Sequence, residues 1–196
     1  MVRLLSMVSL ILLLTAGVVQ ADDDGPRSLF GDKAWDHGGM GGFSTAATGF
    51  AGGTAIMGGW HGHWIVNHTF GIGGTGYGIH ATDDYHYRDD DFDLNAGVSG
   101  MEVEYYIQPE NLLHYTVSLG MGGGNLTARR ERDGKEFNDA FYYLHPKVNA
   151  ELNVTNWFRA GGFAGYRYAG NVNLIGLDSG DISGWTAGIQ LKFGDF

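Results

Sequence analysis

Large apolar residues fall on every second position of Trp185-Thr-Ala187-Gly-Ile189-Gln-Leu191-Lys-Phe193, with Thr186, Gly188, Gln190 and Lys192 between them. A period of two is that of a strand with one apolar and one polar face. The pattern recurs upstream. Leu144, Val148, Ala150, Leu152 and Val154 share one parity, against His145, Lys147, Asn149, Glu151 and Asn153 on the other. Met101, Val103, Tyr105 and Ile107 oppose Glu102, Glu104 and Tyr106. Tyr115, Val117, Leu119 and Met121 oppose His114, Thr116 and Ser118. Glycine pairs, asparagines, Gln108-Pro109 and Asp133-Gly134 then cut the chain into eight segments that predict strands: 42–51, 54–66, 70–81, 94–107, 113–127, 140–154, 157–169 and 181–193.

The links between these segments alternate. Those after the second, fourth and sixth are short. Those after the third, fifth and seventh are long and polar, and only the Gly52-Gly53 turn departs from the rule. Such alternation belongs to a transmembrane barrel, with short turns on one side and long loops on the other. A Lys or Arg facing lipid in mid-membrane costs about 2–4 kcal/mol, so the polar parity must face the lumen. Eight strands leave an interior just wide enough for side chains to fill. Glu102, Glu104, Lys147, Glu151, Arg159, Arg167 and Lys192 are therefore expected to form a charged plug, with Lys192 near the membrane edge. The fold class this predicts is all-β, an eight-stranded antiparallel up-and-down transmembrane barrel.

Finer expectations follow. A three-residue turn at 154–156 sets Leu152 opposite Phe158 and predicts a Glu151–Arg159 pair inside. The same arithmetic sets Tyr105 beside Tyr115 and Val103 beside Val117. Phe70/Ile72 and Tyr77/Ile79 differ in parity, which suggests a bulge at Gly73-Gly74. Phe193 is the expected last lipid-facing aromatic, with 194–196 as a short tail.

Composition extends this picture. Met-Val-Arg3 is followed by an apolar run to Val19, and Val19-Gln20-Ala21 precedes three aspartates, the layout of a signal peptide cleaved after Ala21. Domain organisation is then 1–21 signal peptide, 22–41 irregular leader and 42–196 barrel, with Leu29, Phe30 and Trp35 of the leader able to rest on the barrel or the interface. Charged residues are only 17%, below the ~25% usual for soluble domains. Aromatics are 13%, and glycines number 34 without a period of three. There are no cysteines, which excludes disulfides and thiolate metal sites. A net charge of −10 argues against nucleic acid as a partner.

The run from Gly58 to Gly78 resembles the glycine-rich core of a group of small secreted bacterial barrel proteins. Glu151-Leu-Asn-Val-Thr-Asn-Trp-Phe-Arg159, Gly165-Tyr-Arg167 and Lys192-Phe-Gly-Asp-Phe196 resemble other segments of the same group. His61-Gly62-His63 departs from it, standing where an arginine and small residues are expected. The resemblance implies an outer-membrane barrel of the broad OmpA/OmpX-like class and brings no activity with it.

Candidate chemistry is sparse. His61 and His63 lie two apart on one face and suit Zn, Cu or Ni, with Glu102, Glu104 or His114 as a third ligand; polar filling of the lumen is the plainer reading. The acidic stretch 83–93 offers oxygen ligands for a surface Ca²⁺ or Mg²⁺ but lacks an EF-hand spacing, so it reads as a solvated loop. Arg129-Arg130-Glu131-Arg132 is an exposed charge run that can meet lipid phosphates. Ser118 and His114 share a strand face that points inward, which is a poor start for lipid hydrolysis. The expectation is a non-enzymatic outer-membrane barrel, exported by its signal peptide, without cofactor or metal. Its partners would be lipid, lipopolysaccharide and, through the closing strand, the barrel-assembly machinery. The alternatives are a lipid-modifying barrel and a soluble periplasmic lipocalin-like barrel with its apolar parity inward.

Overall fold

In the computed structural model residues 36–196 are described. The signal peptide expected at 1–21 and most of the leader lie outside them. The strands are β1 (His37–Phe50), β2 (Gly53–Val66), β3 (Phe70–Ala81), β4 (Tyr85–Tyr87), β5 (Asp90–Ile107), β6 (Leu113–Arg130), β7 (Glu136–Thr155), β8 (Phe158–Gly170), β9 (Asn173–Leu174), β10 (Leu177–Asp178) and β11 (Gly184–Asp195), with a short helix α1 (Ser179–Ile182) before the last. Eight of them close a ring in the order β3-β2-β1-β11-β8-β7-β6-β5, sealed by the β3–β5 pairing, and every neighbour is antiparallel. Closure leaves no unpaired backbone edge in the wall, which lipid would not satisfy.

The alternation read from sequence becomes inside and outside. Val148, Tyr105, Tyr115, Val117 and Met121 are exposed on the outer wall, while Glu102, Glu104, His114, Lys147 and Glu151 are buried within. Aromatics gather at both ends of the outer belt. Trp157, Phe158 and Phe193 stack beside the short turns, and Tyr166, Tyr168 and Trp185 stand toward the long loops. This is the girdled exterior of a membrane barrel. The soluble lipocalin-like alternative needed the opposite sidedness.

The lumen has two layers where the sequence suggested one. Toward the short turns it is polar. Toward the long loops it is apolar, built from Phe50, Met57, Tyr77, Ile79, Leu94, Val98, Leu126 and Phe141 among others. This explains β3 without a bulge. Its ladders to β2 and β5 run unbroken past Gly73-Gly74. Phe70 and Ile72 face out, and Tyr77 and Ile79 face the apolar layer within. Gly73 faces inward where the β2 backbone comes closest: a Cβ there would overlap the Gly62 carbonyl oxygen.

Other boundaries shift. β1 takes in 37–41, assigned from sequence to the leader, and β11 takes in Gly194 and Asp195, assigned to a tail. These ends pair with each other, Met40 with Gly194 and Gly39 with Asp195. Glycines on both sides hide the alternation from a hydropathy reading.

Both register expectations miss by two residues. Glu151 lies opposite Gly161 and Leu152 opposite Ala160; a bulge at Val154 then brings Asn153 opposite Arg159. Tyr105 lies opposite Val117, and Val103 opposite Leu119. The cause is in the turns. Gln108 adopts φ 54°, and Asn153 donates through Nδ2 to the Pro109 and Asn111 carbonyls at 2.9 and 2.8 Å, joining the end of β7 to the first turn. A slip of two keeps every side chain on its face, so sidedness is unchanged.

The acidic stretch is partly ordered. β4 folds back on the start of β5 around Arg88, extending the wall beyond the belt. The stretch 170–180 is not a loose polar loop. β9 and β10 form a hairpin, and Val172, Leu174, Leu177 and Ile182 pack down on the apolar layer as a lid. Asp178 caps α1, accepting from Gly180 N–H at 2.6 Å and Asp181 N–H at 3.3 Å, while Ala51 N–H donates to the Asp181 carbonyl at 2.7 Å.

The outer position of Val148 generates a test. Val148→Arg should lower the stability of the barrel folded in lipid vesicles by about 2–4 kcal/mol in urea titration. An unchanged midpoint would mean that this face does not meet lipid.

Candidate functional site

The polar layer is organised around Glu104. Lys192, inward on β11, places Nζ 2.7 and 2.8 Å from its two carboxylate oxygens. Tyr106 donates its hydroxyl at 2.8 Å, Thr116 its hydroxyl at 2.5 Å and Asn149 its amide at 3.3 Å, while His63 Nδ1 lies 3.2 Å away. Every donor comes from an inward position on β2, β5, β6, β7 or β11. A carboxylate taken out of water needs such a set, because its remaining lone pairs are otherwise costly.

Lys192 is shared. Its Nζ also lies 2.5 Å from Glu151, whose same oxygen accepts from Gln190 at 2.9 Å. One ammonium thus links carboxylates from β5 and β7. It is 2% exposed, buried in the lumen one residue before Phe193 of the short-turn girdle. A second centre lies toward the apolar layer. Lys147 Nζ contacts both oxygens of Glu102 at 3.0 and 2.8 Å and the Tyr77 hydroxyl at 3.1 Å.

The two arginines assigned to the charge network are buried in the lumen but stand apart from the carboxylates. Arg159 stacks over the Phe196 ring at 3.9 Å and forms no ion pair with Glu151. The two-residue register shift moves it toward the short turns, where Met40, Ile65, Tyr106 and Phe196 cluster. Arg167 donates to the carbonyls of Gly49 and Ile182 and to Thr48 Oγ1, all at 3.0–3.1 Å. It fastens the lid and the first hairpin to the wall. Sequence showed that both face inward but not how far along the barrel each sits.

Tyr106, Thr116, Asn149 and Gln190 belong to the network and were not singled out from sequence. Their inward parity was the available signal. At the short-turn end His68 bridges Asp36 at 2.8 Å and the Phe196 carbonyl at 2.5 Å, a clasp across the seam that no sequence pattern indicated.

The other chemical candidates separate. His61 and His63 are neighbours, with ring centroids 5.9 Å apart, but His63 is engaged by Glu104. Among the described residues no group of three or more His, Asp or Glu is arranged to hold a metal ion. Ser118 and His114 are both buried in the lumen. Four residues of strand set them about 13 Å apart, too far for a nucleophile and its base. In the acidic stretch His86 pairs with Asp91, and Asp90 takes Arg130 at 3.3 Å and Arg132 at 3.4 Å.

This architecture matches solved structures. Neisserial surface protein A (NspA) superposes with a TM-score of 0.61 at 10% identity, covering 82% of this chain and 99% of that one. A major outer membrane protein from Thermus thermophilus gives 0.51 at 11% identity, covering 79% and 99%. Ail, the attachment invasion locus protein of Yersinia pestis, solved with the heparin analogue sucrose octasulfate, gives 0.50 at 12% identity, covering 81% and 97%. No protein-family model and no curated protein matches the chain. The fold is that of small outer-membrane β-barrels.

The shared cation is open to a double-mutant test. Lys192→Met leaves two buried carboxylates without their common partner, a break that typically costs about 3–5 kcal/mol. Adding Glu151→Gln to the same chain should recover part of the loss in urea unfolding followed by tryptophan fluorescence. Strict additivity of the two changes would show that they do not interact.

Proposed function

We propose that this chain is a non-enzymatic, integral outer-membrane barrel with a structural or surface-interaction role presented at its long-loop end. The observation that carries the reading is the pairing of an apolar, girdled exterior with an interior filled by ion pairs, apolar side chains and a packed lid. The exterior suits a bilayer. The filled interior leaves little room for a diffusion channel, so what the protein offers its surroundings is its outer wall and its rim. A lipid-modifying enzyme would need a nucleophile and a base together at the lipid face or the rim, whereas Ser118 and His114 are divided along the lumen.

The rim has a definite character. Asp83, Asp84, Asp89, Glu131 and Asp133 are exposed there, while Arg130 and Arg132 are drawn to Asp90. An acidic rim favours cationic partners, or anionic ones bridged by divalent ions, over a free polyanion. Ail was solved with a heparin analogue; the acidic rim here argues for a different class of partner. Bilayer lipid and lipopolysaccharide are the proposed partners of the belt. The outward row Trp185, Ala187, Ile189, Leu191 and Phe193 on β11 is the surface offered to the barrel-assembly machinery.

Membrane fractionation of bacteria making the full chain, read on gels with and without boiling, tests the reading. The protein should sediment with outer membranes and migrate differently when unheated. In planar bilayers it should conduct no steady current. Recovery in the soluble fraction without a heat-dependent shift would overturn the membrane assignment, and a stable open conductance would overturn the closed interior.

A further inference from the structure

The lipid-facing wall carries a groove of about 620 Å³ across β2, β3, β5 and β6, toward the long-loop end. Gly58, Gly78 and Gly97 lie side by side across its floor, with Gly76, Ser99 and Gly123 in the adjoining row. Trp60 stands along one side, 54% exposed, its indole beside Gly76.

The chain's own packing does not account for this floor. Inward glycines such as Gly73 are forced by the backbone of the next strand. Of the outward ones, Gly76 is overlaid by the Trp60 indole, but Gly58, Gly78, Gly97 and Gly123 are not constrained by any neighbour. A Cβ on Gly97 would meet nothing within 4 Å, and on Gly58, Gly78 or Gly123 it would meet only a carbonyl oxygen at 3.9, 3.9 and 3.7 Å. None of the four has a positive φ. Glycine weakens a strand and is useful where something approaches the backbone closely. Here the approach must come from outside the barrel.

The position of the groove selects its occupant. It continues the belt that faces acyl chains. It is concave, so a second barrel, itself convex, would bridge it without filling it, whereas a linear chain can lie along it. Its far end is polar, at Asn125, and Arg129 stands beyond it on the same strand face. Outward positions on β6 run from Gly123 through Asn125 and Thr127 to Arg129, about 20 Å along the strand. Arg129 lies between Asp93 and Glu136 in register, yet forms no ion pair among the described residues. We propose that the groove holds one acyl chain of a phosphate-bearing lipid from the leaflet beside the long loops, with the phosphate at Arg129. The proposal rests on the membrane reading above and adds a defined lipid site to it.

Native mass spectrometry tests it. The full chain is reconstituted in vesicles of phosphatidylethanolamine and phosphatidylglycerol and extracted in mild detergent. One phospholipid should stay on the wild-type barrel. It should stay on Gly162→Leu as well, where an outward β8 glycine away from the groove has its nearest contact at 3.6 Å. It should be lost from Gly97→Leu, which fills the floor, and from Trp60→Ala, which removes the wall; Arg129→Gln should retain less than wild type. Wild-type barrel without lipid, or equal retention by the two groove variants, would overturn the site. So would a wild-type dimer that Gly97→Leu dissolves, which would assign the groove to a second copy. Heat-shift gels on the same samples separate the failures. A barrel that inserts and shifts but holds no lipid refutes the groove alone, whereas one that never inserts refutes the membrane reading too.

Discussion

Charge cannot be left facing hydrocarbon, and in a barrel of this size it cannot be left in bulk water either. That constraint organises the molecule. The carboxylates that strand parity sends inward must find cations inside, and Lys192 and Lys147 meet that need on Glu104, Glu151 and Glu102. The hydrogen bonds from Tyr106, Thr116, Asn149 and Gln190 complete what the ammonium groups leave unmet. The outer wall is apolar as the other half of the same arrangement.

The lumen changes character along its length because its two ends are closed differently. Toward the short turns, Phe196 lies over Arg159 and His68 links Asp36 to the Phe196 carbonyl. Toward the long loops, the hairpin β9–β10 and α1 fold inward over apolar side chains, and Arg167 ties this lid, through the Ile182 carbonyl, to Gly49 of the first hairpin. The charged layer lies between these closures, away from water, which is where ion pairs gain most from good geometry.

Sidedness was legible in the sequence because lipid rejects charge. Lys147, Glu151 and Arg159 can only face inward, and one such residue orients its whole strand. The converse rule is weak. The lumen also accepts apolar side chains, so Tyr77 and Ile79 on β3 resembled a break in parity when they were lumenal packing. The same blindness hid the lid: Val172, Leu174, Leu177 and Ile182 are apolar, but glycine, asparagine and aspartate between them gave the segment the look of a surface loop. Register was lost in steps of two, since parity is silent about such slips. The left-handed backbone at Gln108 and the bulge at Val154 carry that information, and neither residue type announces it. The position of Arg159 along the barrel was lost with the register.

Lys192 has a consequence for assembly. It rides on β11, the last described strand, while its two carboxylates ride on β5 and β7. Hairpins along the chain form from near neighbours, but the seam joins Gly39 to Asp195, so its closure carries the largest loop entropy in the wall. Until β11 docks, Glu104 and Glu151 lack their common ammonium. Neutralising the core and sealing the cylinder are therefore a single cooperative event, and a half-zipped sheet is marked by two stranded negative charges. Only the complete ring gives both carboxylates their shared cation.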